Sequence, residues 1–345
     1  MLLETLSNLD GASGAEKPVR DAIRTMIEPY ADSVYTDKIG NLIAVKQGKA
    51  GSPRIMLSAH MDEVGLMVTE ITGDGFLKFE PVGGIDPRVL IAKPVRLPEG
   101  LTGVIGSKAI HLQKPNDRKR ALTIEQLYID IGAKSKEEAA RHVKIGSYAH
   151  FHTECESFGI GYWKGKAFDD RLGCAALIEI LQQANDNFTL YAAFTVQEEV
   201  GLRGSEVAAY HINPDFAVVV EGTVSADMVD VEEDQWVTQI GKGPACSLMD
   251  RTTLYNPKLV AMVADLARAK KIPLQFKRGA SGGNDAGRIH LSREGVPVVS
   301  ISVPCRYLHS SLSIISNDDY ENCIRLVREI IKEIPPSFVH TPIND

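Results

Sequence analysis

Residues 171–220 read RLGCAALIEILQQANDNFTLYAAFTVQEEVGLRGSEVAAYHINPDFAVVV. The first fourteen, RLGCAALIEILQQA (171–184), have the length and residue types of a helix. TLYAAFTV (189–196) is an apolar run of strand length, a short helix is expected near 206–210, and FAVVV (216–220) is a second buried-type strand. Helix, strand, helix, strand at these lengths implies an α/β sandwich with a largely parallel sheet. The same alternation continues downstream. A helix NPKLVAMVADLARAKK (256–271) is followed by strands LQF (274–276) and VPVVSISV (296–303), then by the helix DDYENCIRLVREIIKEI (318–334). Upstream, residues 3–30 read as two helices around a turn at Gly11-Ala12-Ser13-Gly14, the second carrying Val19, Ile23, Met26 and Ile27 at helical spacing. Strands are expected at 33–36, 41–46 and 54–59.

Between these parts the texture changes. GFLKFEPVG (75–83), KPVRLP (93–98), GVIGS (103–107) and YAHFHTE (148–154) are short β-like runs broken by Gly and Pro, and only EEAARHV (137–143) looks helical. The simplest organisation is one α/β domain, residues 1–67 and 164–345, interrupted by a small β-rich domain at 68–163.

Composition narrows the function. With 345 residues, 44% hydrophobic and 24% charged, the chain is globular rather than disordered. A formal charge of -7 and a pI near 5.8 argue against nucleic acid or an anionic membrane as partner, since a phosphate-binding surface needs a basic excess. Five scattered cysteines without a CxxC form no disulfide framework and fit a reducing cytoplasm. The N-terminal residues have no signal-peptide core, and no run approaches the roughly 18 apolar residues of a membrane span. A soluble cytoplasmic protein is expected. Familiar nucleophile and phosphate motifs are missing: there is no HExxH, the Gly-rich GASGGNDAG (279–287) reads as a turn rather than a nucleophile elbow, and GIGYWKGKAF (159–168) lacks the glycine spacing of a phosphate loop.

What remains is a pattern of strand ends. The run IMLSA stops at His60-Met61-Asp62, TLYAAFTV at Gln197-Glu198-Glu199, FAVVV at Glu221, and VPVVSISV is followed by Arg306-Tyr307-Leu308-His309-Ser310. Phe168-Asp169-Asp170-Arg171 opens a helix. Ligands of open α/β sheets bind beyond the carboxyl ends of the strands, so two imidazoles and several carboxylates converge on one rim. Singly, each residue has a structural explanation. His60 reads as a hydrogen-bonded core histidine, Asp169-Asp170 as a helix cap, Glu198-Glu199 as a solvated strand end, Glu221 as an ion-pair partner and His309 as a loop residue. One dinuclear metal site explains them together, and its mixed N/O donors suit zinc, cobalt or manganese.

AHMDEVG (59–65), AFDDRLG (167–173), QEEVGLRGS (197–205) and RYLHS (306–310) resemble the TET-type dinuclear metallo-aminopeptidases. That family includes glutamyl and deblocking aminopeptidases and members also named M-type endoglucanases. The resemblance spans essentially the whole chain and implies a zinc-exopeptidase-like α/β sandwich with an inserted β-rich dimerisation domain. It implies two divalent metal ions per subunit, zinc or cobalt, with manganese also compatible. His60 would bind one ion and His309 the other, Asp169 would bridge both across a cis Asp169–Asp170 peptide, and Glu199 and Glu221 would complete the two coordination spheres. Glu198 would be the general base, and Asp62 would orient the His60 ring. The family frequently has Asp where this chain has Glu221, which is one methylene longer. Asn284-Asp285, in a Gly-rich turn, matches an Asp-containing family motif near the site.

The expected reaction is removal of N-terminal residues from short peptides by a hydroxide shared between the ions, because two cations bring a bridging water's pKa toward neutrality. Glycosidase chemistry fits less well, since it needs two carboxyls about 5–10 Å apart across a sugar. The competing readings are another amide hydrolase, a deacylase or carboxypeptidase on the same site, and a metal-stabilised protein without catalysis. The resemblance further implies a homododecamer built from dimers through the β-rich insert. Arg251, Lys277 and Arg278 are either ligands for an acidic side chain or solvated surface charge.

Overall fold

The computed structural model describes residues 1–113, 119–184, 186–280 and 282–334. Its main sheet is ordered Ser33–Thr36, Leu42–Lys46, Thr189–Thr195, Arg54–His60, Phe216–Val224, Val298–Arg306, Ser313–Ser316, Tyr162–Gly165, Glu156–Phe158. The four central strands from Thr189–Thr195 to Val298–Arg306 run parallel to one another and both flanks of this order are antiparallel, so the sheet is mixed rather than largely parallel. A further parallel pair, Ala245–Ser247 with Gln275–Lys277, joins Val298–Arg306 antiparallel. Those central strands are the apolar runs of the sequence, buried on both faces as parallel strands usually are. Within the flanks, the hairpins Ser33–Thr36/Leu42–Lys46, Glu156–Phe158/Tyr162–Gly165 and Val298–Arg306/Ser313–Ser316 come from short connections, which allow antiparallel pairing. Leu42–Lys46 and Tyr162–Gly165 instead join the sheet through partners distant in sequence.

Helix Phe168–Leu181 packs across strands Arg54–His60, Thr189–Thr195 and Phe216–Val224, with Leu2–Ser7, Lys17–Ile27 and Asn317–Glu333 against it. It is buried nearly all round, as a helix central to a core should be. Gly173 is what lets it approach: a Cβ there would lie 2.4 Å from both the Asp170 carboxylate and the Val220 carbonyl. Helices Arg203–Ile212 and Ala286–Ile289 pack on each other and on the same strands.

The β-rich part closes into a six-stranded barrel of Gly65–Ile71, Leu77–Val82, Leu127–Asp130, Thr102–Ser107, Pro94–Arg96 and Tyr148–Phe151. Leu66, Val68, Leu77, Phe79, Val95, Ile105 and Ile129 fill it, a core separate from that of the main sheet. The barrel thus begins at Gly65, before the expected 68. Hairpin strands Glu156–Phe158, expected within the insert, and Tyr162–Gly165, which straddles its expected end at 163, extend the edge of the main sheet. A local reading cannot tell which sheet a short hairpin will join.

A buried ionic knot holds barrel and sandwich together. Lys166 Nζ, 1% exposed, sits 2.8 Å from Glu63 Oε1, 3.0 Å from Asp10 Oδ1 and 3.0 Å from the Leu9 carbonyl. Arg171 donates to the carbonyls of Met61, Leu6, Leu9 and Gly11. From the barrel, Arg96 pairs with Asp10 and His150 faces Glu63. Burial alone would raise the Glu63 pKa, but Lys166, His150 and Arg171 hold it well below the ordinary carboxylate range. Asp10, Glu63 and His150 are close enough to hold an ion. The Lys166 ammonium already fills that role.

Candidate metal centre

Parallel register sets the rim. Thr195 pairs with His60, so both strands end level, and Glu221 lies opposite Ser302 on the neighbouring strand. The loops that follow bend back by left-handed backbone at non-glycine residues: Ala167, Gln197, Leu202, Tyr307 and His309 all have positive φ. Such conformations persist only where surrounding structure dictates them, and they cluster at functional sites. Glu198 and Glu199, which would point to opposite faces of a continued strand, both turn inward because the chain reverses at Gln197 (φ 57°) as well as at Gly201 (φ 123°). The Asp169–Asp170 peptide is cis, and neither residue is helical although both precede the regular helix.

Asp169 lies between the two imidazoles. Its Oδ1 is 3.3 Å from His60 Nε2 and its Oδ2 is 3.5 Å from His309 Nε2. Glu199 Oε2 lies 3.3 Å from His309 Nε2, and Glu198 Oε2 lies 3.9 Å from His60 Nε2. Donor atoms of His60, Asp169 and Glu199 all fall within 4.8 Å of one another. His60 Nδ1 is 3.0 Å from the Asp62 carbonyl oxygen, which can only accept. A proton on Nδ1 serves that bond, so Nε2 is the nitrogen left to face the carboxylates and any cation among them. The Asp62 carboxylate is farther, 3.5 Å from Nδ1. Its nearer partners are Ser13 Oγ at 2.6 Å and the amides of Glu198 at 3.0 Å and Glu199 at 3.2 Å.

Glu221 stands at the edge of this group. Its Oε1 accepts from Asn284 Nδ2 at 2.8 Å, and Asn284 is fixed by Ser300 and Tyr255, whose hydroxyl donates to Asp250. Asp285, the next residue, reaches beneath the site to Ser58 and Thr195 and keeps one buried oxygen without a partner. Lys277 is buried and its charge acts on Glu221, whereas Arg278 is exposed and bonded to the Glu233 carbonyl and Arg251 is exposed. Sequence reasoning missed Ser13, Tyr255 and Asp250, whose contacts join distant segments without a local signature.

The electrostatics favour a cation. Asp62, Asp169, Asp170, Glu198, Glu199, Glu221 and Asp285 crowd around His60, His309 and Lys277, an excess of buried carboxyls over side-chain cations. Burial pushes Glu199 up to about 7 and Glu221 up to about 8, and Glu198 well above its usual range with Glu199 adding to it. Burial disfavours charge on His309, yet Glu199 and Asp169 raise it to about 9. Carboxyls driven toward neutrality beside imidazoles driven toward charge mark a donor set short of positive charge. Imidazole nitrogens and carboxylate oxygens in this arrangement fit divalent transition metals.

The chain is similar over nearly its whole length to aminopeptidases, which are hydrolases. The chain belongs to the M42 glutamyl aminopeptidase family, whose model matches residues 40–326. Lysyl aminopeptidase of Pyrococcus furiosus is 33% identical, over 97% of each chain. The solved TET aminopeptidase of a Thaumarchaeota archaeon from marine sediment superposes with a TM-score of 0.94 at 38% identity, covering 98% of this chain and 97% of that one. Pyrococcus horikoshii TET1 peptidase, described as able to assemble into a tetrahedron or a large octahedral shell, matches at TM-score 0.84 and 35% identity over 95% and 97%. No helix among the described residues is long and apolar enough to cross a membrane.

Proposed function

We propose that the rim is a dinuclear centre with which the protein removes N-terminal residues from short peptides. The observation that carries this is Asp169, whose two carboxylate oxygens face different imidazoles, as a carboxylate shared by two ions must. His60, Asp169 and Glu221 would hold one ion, and Asp169, Glu199 and His309 the other. When bound, the two ions would supply Lewis acidity and a water acidic enough to attack at neutral pH. Glu198 is not a ligand in this reading. Its carboxylate takes the proton of the attacking water and returns it to the leaving amine nitrogen, a role suited to a nearly buried carboxyl with a raised pKa. The Asp62 carboxylate holds the main chain of both glutamates, and its carbonyl holds the His60 ring. The acidic rim prefers a substrate with a free, basic α-amine over an acylated one. Peptides with free N-termini are therefore expected to turn over faster than their N-acetylated forms. Faster turnover of the acetylated series in a matched kinetic comparison would replace the aminopeptidase reading with a deacylase.

Zinc or cobalt, with manganese also compatible, fits the donor set. A homododecamer assembled from dimers through the barrel is supported by the dodecamer described for the solved PhTET1 and by exposed apolar side chains on the barrel strand and its adjoining loops, Val104, Ile110, Leu112 and Ile145. Light scattering in metal-replete buffer is expected to give a twelve-chain mass, and a monomer mass would contradict it. The five cysteines are free and buried, which supports a reducing cytoplasmic setting.

A further inference from the structure

The turn at Gly11–Gly14 has no part in the chemistry above, yet it bonds directly to the Asp62–Glu63 segment beside the centre. Ser13, 5% exposed, donates from Oγ to Asp62 Oδ2 at 2.6 Å. The same carboxylate accepts the Glu198 amide on Oδ1 and the Glu199 amide on Oδ2. Glu63 N donates to the Gly11 carbonyl and Gly11 N to Glu63 Oε1, each at 3.0 Å, so the turn is pinned beside Asp62. Glu16 Oε1 accepts the Gly14 amide at 2.7 Å and the Gln197 amide at 3.2 Å. The barrel joins at this point, where Tyr148 Oη donates to the Ser13 carbonyl at 3.1 Å. Gly14 has φ +90°, and a Cβ there would stand 2.7 Å from that hydroxyl. The turn is thus shaped to admit Tyr148.

We propose that Ser13 is a positioning residue for the catalytic carboxylates, held in place by Tyr148 of the barrel. It touches neither substrate nor metal in this reading. Its hydroxyl fixes the rotation of the Asp62 carboxylate, and that carboxylate fixes the main chain carrying Glu198 and Glu199. A buried carboxylate that loses one donor turns toward those left, and the two amides it holds shift with it. Displacements of about 1 Å at a catalytic group cost on the order of 100-fold, so a smaller shift has a measurable effect. Through the Tyr148 bond, the barrel supports the geometry of a centre built entirely from the other core. The inference rests on the roles given above to Asp62, Glu198 and Glu199.

The test is kinetic and structural. Ser13→Ala is expected to lower kcat by about 10-fold, the lower end of the effect of removing a group that orients a ligand shell. KM and the metal-to-protein ratio are expected to stay at wild-type values. Ser13→Thr keeps the hydroxyl and is expected to recover most of the rate. Tyr148→Phe is expected to lower kcat in the same direction, and the double variant to lose less than the sum of the two losses in log rate, the coupling required if Tyr148 acts through Ser13. Independently of activity, hydrogen exchange at the Glu198 and Glu199 amides in chelator-treated protein is expected to quicken in both single variants. Wild-type kcat in Ser13→Ala, unchanged exchange at those amides, or parallel loss of melting temperature and KM that Thr does not restore would each overturn the proposal. If Ser13→Ala does not fold, Tyr148→Phe carries the same kinetic and exchange tests. Full activity in Glu198→Gln would instead sink the functional reading while leaving the exchange result standing.

Discussion

Glu198→Gln is expected to fold, to keep its metal ions, and to lose on the order of 100-fold or more in kcat with KM little changed. The substitution keeps shape and volume and removes only the proton acceptor. Glu198 Oε2 lies 3.9 Å from His60 Nε2, beyond hydrogen-bond reach, so no first contact to a ligand imidazole is broken. The Glu198 amide stays bonded to Asp62 because that bond uses the main chain. Steady-state kinetics decide it. An unaltered kcat would remove Glu198 from proton transfer, and a loss of metal would reassign it as a ligand.

Asp169→Asn is expected to release bound metal, abolish measurable hydrolysis and lower the melting temperature. Asp169 faces both His60 and His309, so one substitution affects both subsites at once. Asn offers one neutral oxygen, and its other side presents N–H groups toward an imidazole nitrogen or a cation. Burial would raise the Asp169 pKa, but the two histidines keep it low, so the native group is a charged carboxylate that Asn cannot imitate. Metal held at about 100 times its Kd stabilises the folded state by about 2.7 kcal/mol, and this contribution is lost when the ions are. The difference in melting temperature is therefore expected to shrink when both proteins are treated with chelator. A difference of the same size after chelation would make Asp169 a structural residue only.

The central strands were legible because a strand buried on both faces reads as an unbroken apolar run, and the polar residue ending each run marked the rim. His60, Glu199, Glu221 and the following loop with His309 emerged in this way. The antiparallel flanks were less legible. Strands Tyr162–Gly165 and Glu156–Phe158 carry no signal for the sheet they join, and the barrel starts at Gly65 because pairing with Leu77–Val82 runs past the apolar stretch. The inward turn of both glutamates depends on positive φ at Gln197, which residue type does not foretell. Ser13 was visible only as part of a turn, since its bond to Asp62 spans 49 positions of sequence. Glu221 is legible as a candidate metal ligand from its place at a strand end, whereas its bond to Asn284 depends on tertiary packing that the sequence does not show.

The most direct measurement is elemental analysis of the purified wild-type protein beside its Glu198→Gln and Asp169→Asn forms, each dialysed against the same zinc- or cobalt-containing buffer. A dinuclear centre with Glu198 as base predicts about two ions per chain in the wild type and in Glu198→Gln, and little or none in Asp169→Asn. A wild-type chain without transition metal, or a metal-free Glu198→Gln beside a loaded Asp169→Asn, would contradict it.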